Sequence, residues 1–298
     1  MAQLPKFSLM MILKIYFHRI YRIVPFILII MILTIGFYTK IGDGPLWVEN
    51  GVVNSMKVNC EKSWWTNILF VTNFVNIDTG CINWTWYLAN DMQFFLLLPF
   101  IVFIFTWSKM MGYMVTLGLI SGNLICSLII AFANKADPNM FVDNGASNLK
   151  MYYKPWTRCG AYFVGVFFGL MFWDYKNHKD DAWNIGKSYF TKCKESWTYR
   201  HVVFLLGLFL LTFIIFVPMK NYQNLYSRTW PEWAGAFYCS FSRPLFVASL
   251  GFILSGSMTG EHKVIRFFLA GEFWSPWGWL SFSTYIIHML IYFYYYGS

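Results

Sequence analysis

The chain carries a succession of apolar stretches, each close to the length of a membrane-crossing helix. A helix of about 20 mostly apolar residues crosses about 30 Å of hydrocarbon. Candidate stretches cover residues 23–38, 84–107, 113–133, 158–173, 201–218, 235–255 and 277–296. The first and fourth are short and borrow a turn from their flanks. In lipid every backbone N–H and C=O must be satisfied within the segment, which favours helices. The pattern predicts an all-α fold, a polytopic transmembrane helical bundle of about seven membrane helices, forming a single domain over residues 1–298. Composition agrees. Hydrophobic residues make up 57% and charged residues 12%, where a soluble domain carries about 25% charged. A soluble enzyme wetted on all sides is excluded, as are disordered, collagen-like and coiled-coil classes.

Residues 6–22 interleave Lys6, Lys14, Arg19 and Arg22 with Phe7, Leu9, Met10, Ile12, Leu13, Ile15 and Phe17. This predicts a basic amphipathic helix lying on the membrane surface over residues 1–22, before the chain turns inward. The denser Lys and Arg loops share one side if the N-terminus is cytoplasmic, which sets the expected orientation. The expected location is an integral membrane one, in the plasma membrane or an endomembrane. The net charge of +9 suits anionic lipid heads. Membrane lipids are therefore expected partners. Nucleic acid is not, because no stretch is long and polar enough to present a basic face.

On this topology residues 40–83 form a luminal or extracellular loop. Cys60 and Cys81 both fall in it, where disulfides persist. Cys126, Cys159 and Cys239 fall in membrane segments and Cys193 in a cytoplasmic loop. A Cys60–Cys81 bridge is expected, and no histidine neighbours the pair to make a metal site. Residues 64–75 are apolar but too short to cross, and read as an interfacial or re-entrant piece anchored by Trp64 and Trp65.

Polar residues at membrane depth are the informative ones, because a charge there costs a few kcal/mol on insertion scales. Arg19 and Arg22 are three apart and share a helix face. Paired guanidiniums suit a phosphate-bearing ligand, although a plain positive anchor would look the same. Asn90, Asp91 and Gln93 lie about two turns into a predicted helix. Asp91 could pair with a buried arginine, bind a cation or accept a proton, and the amides could simply join helices. Lys154 and Arg158 flank Pro155 and share a face at a helix start. His288 sits three residues after Tyr285 and suits either a base or a hydrogen bond across helices. Arg243, before Pro244, is a further candidate and a possible partner for Asp91. Phosphate-binding Gly loops, nucleophile elbows and His-Glu-x-x-His zinc motifs are missing.

Together these segments resemble the acyltransferase 3 family of membrane proteins, and within it the nose-resistant-to-fluoxetine branch. The resemblance rests on Arg19-Ile20-Tyr21-Arg22 and Gly42-Asp43-Gly44-Pro45-Leu46-Trp47. It continues in Cys60 with Trp64-Trp65-Thr66-Asn67, in Asn73-Phe74, and in Cys81 followed by Trp84-Thr85-Trp86-Tyr87-Leu88-Ala89-Asn90-Asp91-Met92-Gln93. Further on it includes Tyr153-Lys154-Pro155-Trp156-Thr157-Arg158 with Gly165 and Gly169, Arg228-Thr229-Trp230, and Ser281, Tyr285 and His288. The resemblance implies a single acyltransferase-3-like membrane domain. It would move an acyl group from cytoplasmic acyl-CoA to a hydroxyl or amine acceptor on the other side. No cofactor would stay bound, acyl-CoA being the donor substrate, and the acceptor is unidentified. Asp91, His288 and Arg158 are then the expected catalytic groups. Arg19, Arg22, Asn90, Gln93 and Lys154 would bind donor or acceptor.

One departure bears on activity. The family's first membrane helix carries a histidine, and no such helix stands in this chain. His18, in the basic segment, is no substitute. The resemblance therefore leaves the enzyme assignment open between an acyltransferase and a non-catalytic membrane protein that binds or transports lipids or hydrophobic small molecules.

Overall fold

The computed structural model describes residues 8–42, 44–47, 51–75, 80–139, 151–177, 185–219 and 230–297. Among these residues the chain is helical, with no strand. The helices are α1 (Leu9–Gly36), α2 (Val52–Ile68), α3 (Trp86–Trp107), α4 (Lys109–Ala133) and α5 (Cys159–Asn177). They continue with α6 (Ile185–Glu195), α7 (Trp197–Phe216), α8 (Glu232–Met258), α9 (Lys263–Leu269) and α10 (Trp274–Gly297). Among the described residues five stretches are long and apolar enough to cross a membrane: Leu9–Lys40, Asn83–Trp107, Lys109–Ala133, Trp197–Met219 and Glu232–Met258. They contain α1, α3, α4, α7 and α8. The other two expected spans are also helices, α5 and α10, but do not reach that standard. Asp174 and Lys176 end α5, and α10 is laced with Ser, Thr, Trp and Tyr.

Residues 9–36 form one helix, where the sequence suggests a surface segment that turns inward at residue 22. α1 runs unbroken through Arg22 and Pro25. Pro25 has no N–H to offer, so the carbonyl of Tyr21 forgoes its helical partner. The expected loop of residues 40–83 contains a 17-residue helix, α2.

The chain folds as two compact units. The first is built from Leu97–Ala270, holding the second half of α3 and helices α4 to α9. α4, α5 and α8 pack together, and α7 lies along α8. Gly160 lets α5 approach α4 closely: a Cβ there would stand 2.1 Å from Asn123 Oδ1. The Asn123 amide donates to Trp156 O at 2.6 Å, holding the entry to α5. At the other end of α5, Asp174 is fully buried. Lys109 Nζ, in the first turn of α4, lies 3.0 Å from its carboxylate, and Tyr113 donates to it at 3.3 Å.

The second unit comprises residues 6–96 and 271–298: α1, α2, the first half of α3, and α10. Its core gathers Ile27, Met31, Ile82, Leu88 and Ile286 around Cys60 and Cys81. Those two cysteines are bonded, as expected. Gly42 makes room for Trp47, whose ring would lie 2.6 Å from a Cβ at that position. Trp47 Nε1 in turn donates to Tyr38 O at 3.0 Å.

Three helix ends share one device. Phe70, Lys135 and Gly260 follow α2, α4 and α8 in left-handed conformations, with φ of 56°, 50° and 91°. The next residue's N–H then reaches back into the last turn, as from Val71 to Thr66 O at 2.9 Å. This closure satisfies carbonyls that would otherwise lack partners. Glycine accepts the conformation freely; Phe70 and Lys135 do so at a cost near 1 kcal/mol.

Removing Lys109 takes the cation from a buried carboxylate. Lys109→Ala is expected to destabilise the protein by about 3 kcal/mol. Asp174→Ala costs less, because Lys109 is 21% exposed and its ammonium can reach outward. Thermal unfolding of detergent-purified variants checks this, and the double variant should be more stable than Lys109→Ala alone.

Candidate functional site

The polar residues singled out on α3 lie within the second unit, and helix geometry sorts them onto two faces. Successive helical residues turn by about 100°, so Asn90 and Gln93 share one side while Asp91 points away from both. Asp91 faces α1. Its Oδ2 pairs with Nη2 of Arg19. The Arg19 guanidinium also lies over the Phe95 ring, 3.9 Å from its centroid. One turn earlier on α1, Tyr16 donates to Leu96 O at 2.7 Å. Residue numbers rise along α1 as they fall along α3, so the two helices run antiparallel here. The side chains of Arg19 and Asp91 are 18% and 29% exposed, and pairing offsets the cost of holding each charge among apolar residues.

Asn90 and Gln93 face the segment that follows α2. Asn73 Nδ2 donates to Asn90 Oδ1 at 2.7 Å and to Gln93 Oε1 at 2.9 Å. Gln93 Nε2 donates back to Asn73 Oδ1 and to Phe70 O, both at 2.9 Å. The left-handed turn at Phe70 aims that carbonyl at Gln93. Asn73 and Asn90 are fully buried, so each amide depends on the others.

His288 lies on α10, in the same unit. Its Nδ1 is 2.6 Å from Tyr285 O. A carbonyl can only accept, so Nδ1 carries the hydrogen and, in the neutral ring, Nε2 keeps its lone pair. The imidazole is exposed and stacks on Tyr285 at 5.8 Å. Two bonds stitch α10 to the turn just before α3: the Tyr285 hydroxyl donates to Trp84 O, and Trp84 Nε1 donates to Ile286 O at 2.9 Å.

The remaining predicted residues fall elsewhere. Arg22 is exposed and has no ion-pair partner among the described residues. Arg158 and Lys154 belong to the first unit. Arg158 Nε donates to Tyr152 O at 2.7 Å, and its guanidinium lies 4.4 Å from the Tyr152 ring centroid. Lys154 Nζ stands 5.8 Å from the Trp156 ring. Asp91 takes Arg19, not Arg243, as its partner; Arg243 contacts Met151 O instead. Asp43, Arg228 and Thr229 lie outside the described residues. Among the described residues, no cluster of three or more His, Cys, Asp or Glu side chains is placed to hold a metal ion.

Sequence reasoning missed Asn73 as the hub of the amide cluster. Two asparagines, Asn67 and Asn73, inside the largely apolar 64–75 stretch were the available signal. It also missed the burial of Asp174, because an acid that ends an apolar run looks like the start of a solvated loop.

Long apolar helices enclosing paired charges and linked amides define a helical protein of the integral-membrane class. Within that class the chain is similar to Nose resistant to fluoxetine protein 6 of Caenorhabditis elegans. The two are 27% identical over 292 residues, covering 93% of this chain and 33% of the relative. The chain thus spans about a third of the length of the curated relative it matches. This similarity supports the nose-resistant-to-fluoxetine branch read from the residues. No protein-family model matches the chain, and no solved structure matches it.

Truncating Asn73 removes the donor to Asn90 Oδ1 and Gln93 Oε1 and one acceptor for Gln93 Nε2. Asn73→Ala is expected to cost about 2 kcal/mol. The fall in unfolding temperature should approach that of the triple variant with Asn90→Ala and Gln93→Ala, since the three act as one unit.

Proposed function

We propose that this chain works in acyl transfer at a membrane, as an acyltransferase of the acyltransferase 3 type. The donor is acyl-CoA, reached from the cytoplasmic side that also holds the N-terminus. The acceptor is a hydroxyl or amine on the opposite side. The observation that carries this reading is one unit containing both an Arg19–Asp91 pair between two long apolar helices and a histidine with its Nε2 lone pair available. The likeness to a nose-resistant-to-fluoxetine protein over most of the chain supports the branch.

The chemistry asks for a base, an acyl donor held in place and a stabilised oxyanion. For a hydroxyl acceptor, His288 Nε2 takes the O–H proton as the oxygen attacks the thioester carbon. The carbonyl becomes an oxyanion and then re-forms, breaking the C–S bond. The coenzyme A thiolate leaves and takes up the proton from the imidazolium. Asp91 holds Arg19 in place, and Arg22, with no ion pair among the described residues, meets donor phosphate. Asn90 and Gln93 keep α3 in register beside the pair. Arg158 and Lys154, in the other unit, enter no step here.

Transfer from radiolabelled acyl-CoA by the reconstituted protein, with release of free thiol, tests this. His288→Gln should lower transfer by about 10²-fold or more while leaving donor binding intact. Arg22→Gln should raise KM for the donor with little change in kcat. Unchanged transfer by His288→Gln would remove that residue from the mechanism.

A second reading is favoured by one feature of the first unit, an apolar groove of about 580 Å³ between α3 and α5. Leu98, Val102 and Phe105 face Gly165, Gly169 and Trp173 across it. That volume falls within the range of about 300–1,000 Å³ typical of small-molecule sites. On this reading the protein binds or carries lipids or hydrophobic small molecules without catalysis. A Cβ at Gly169 meets nothing within 4 Å, so Gly169→Leu starts from an open position and extends into the groove that Gly169 lines. It should weaken binding of a fluorescent fatty-acid probe severalfold and leave unfolding temperature nearly unchanged.

A further inference from the structure

Arg200, in the first turn of α7, ties two other parts of the first unit together. Its Nη1 donates to Cys193 O at 3.1 Å and to Lys194 O at 3.0 Å, at the end of α6. The same nitrogen stands 3.4 Å from Glu261 Oε2. Glu261 belongs to the turn that follows α8, where left-handed Gly260 reverses the chain. The N–H groups of Glu261 and His262 close that turn on Gly256 O, at 3.0 and 3.2 Å. Arg200 therefore clasps α6 to the turn after α8, and its side chain is only 10% exposed.

His262 sits beside this clasp. Its ring lies against α7, 5.2 Å from the Phe204 ring and 5.5 Å from the His201 ring. It also abuts α8: a Cβ on Gly256 would stand 2.5 Å from Nδ1, so the close approach needs glycine. Nδ1 is buried and has no hydrogen-bond partner. The neutral ring accommodates this by carrying its hydrogen on Nε2. A protonated ring has an N–H at both nitrogens, and the one at Nδ1 would be buried without an acceptor.

The surrounding groups also oppose a charge there. Burial lowers the pKa of His262 most; His201 and Arg200, both from α7, lower it further. Glu261, in the same turn, raises it but is already paired with Arg200. α8 offers the Ser257 hydroxyl and α6 the buried Cys193 thiol, and neither carries a counter-charge. α9 continues with two more cations, Lys263 and Arg266, the second donating its N–H to His262 O at 3.0 Å.

We propose that His262 is a pH-sensitive latch on the first unit. Neutral, it seats the turn after α8 on α7 and keeps Glu261 with Arg200. Protonated, it leaves its place beside Phe204 and Gly256, and the turn opens. Opening takes Glu261 from Arg200 and so loosens the end of α6. A histidine whose pKa is lower in the closed form than in the open one favours closure above the open-form value, near about 6.5. That preference falls away as pH drops below it, because the open form takes up the proton. The latch depends on neither acyl transfer nor lipid binding.

Hydrogen exchange of the full chain in nanodiscs, read by mass spectrometry and corrected for the intrinsic effect of pH, tests the latch. From about pH 7.5 to about pH 5.5, opening of residues 256–266 should rise about tenfold, as expected for uptake of one proton. His262→Phe keeps a ring against Phe204 but cannot charge, and should open equally at both pH values. His262→Gln serves the same purpose should the larger ring fail to fold. His201→Gln removes an opposing neighbour and should blunt the rise. Opening that is the same at both pH values in the unaltered protein, or that rises equally in the folded His262 variants, would overturn the latch. A rise lost in His201→Gln yet kept in the His262 variants would assign the response to His201 and overturn it too.

Discussion

An arginine on α1 and an aspartate on α3, paired among apolar residues, fix how the second unit is put together. Each charge alone would cost a few kcal/mol at membrane depth. Held together, with the guanidinium also over Phe95, they oblige α1 and α3 to meet at one register. Dispersion and apolar contact tolerate sliding between helices; a charge pair at a single depth does not. The Tyr16–Leu96 bond, one turn away, reinforces the same register. With α3 set in this way, its other polar face meets Asn73, and the turn that precedes it is stitched to α10.

The amide cluster and the disulfide complete that frame. Asn73, Asn90 and Gln93 hydrogen-bond one another, the two asparagines fully buried, where an unmet amide would cost about 1–3 kcal/mol. Cys60–Cys81 joins α2 to the turn that leads into α3. His288 reaches its position through α10, whose backbone is bonded to Trp84. The donor residues proposed on α1, the paired charges and the candidate base therefore lie in one unit, while the apolar groove belongs to the other.

Much of this was legible in the residues. The apolar runs were readable because crossing a bilayer demands a length that chance composition rarely gives. Asn90, Asp91 and Gln93 stood out because polar side chains interrupt such a run. The cysteine pairing followed from which two thiols share a loop. Partners were harder. Arg19 reads as a surface anchor until α1 is seen to continue through Pro25 as one helix. Its pairing with Asp91, 72 residues away, depends on an antiparallel register that no local pattern encodes. Arg158 and Asp91 look like members of one site by chemistry, yet the chain distributes them to separate units. α10, with its Ser, Trp and Tyr content, has the length of a span without its apolarity.

The central claim is that Arg19 and Asp91 act as one unit. A double-mutant cycle of Arg19→Gln and Asp91→Asn, read by thermal unfolding in nanodiscs, measures it directly. The account predicts a coupling of at least about 1 kcal/mol, with the double variant more stable than the sum of the single losses implies. The exchanged pair, Arg19→Asp with Asp91→Arg, should recover part of the stability that either reversal alone removes. Strictly additive losses, with no recovery in the exchanged pair, would contradict it.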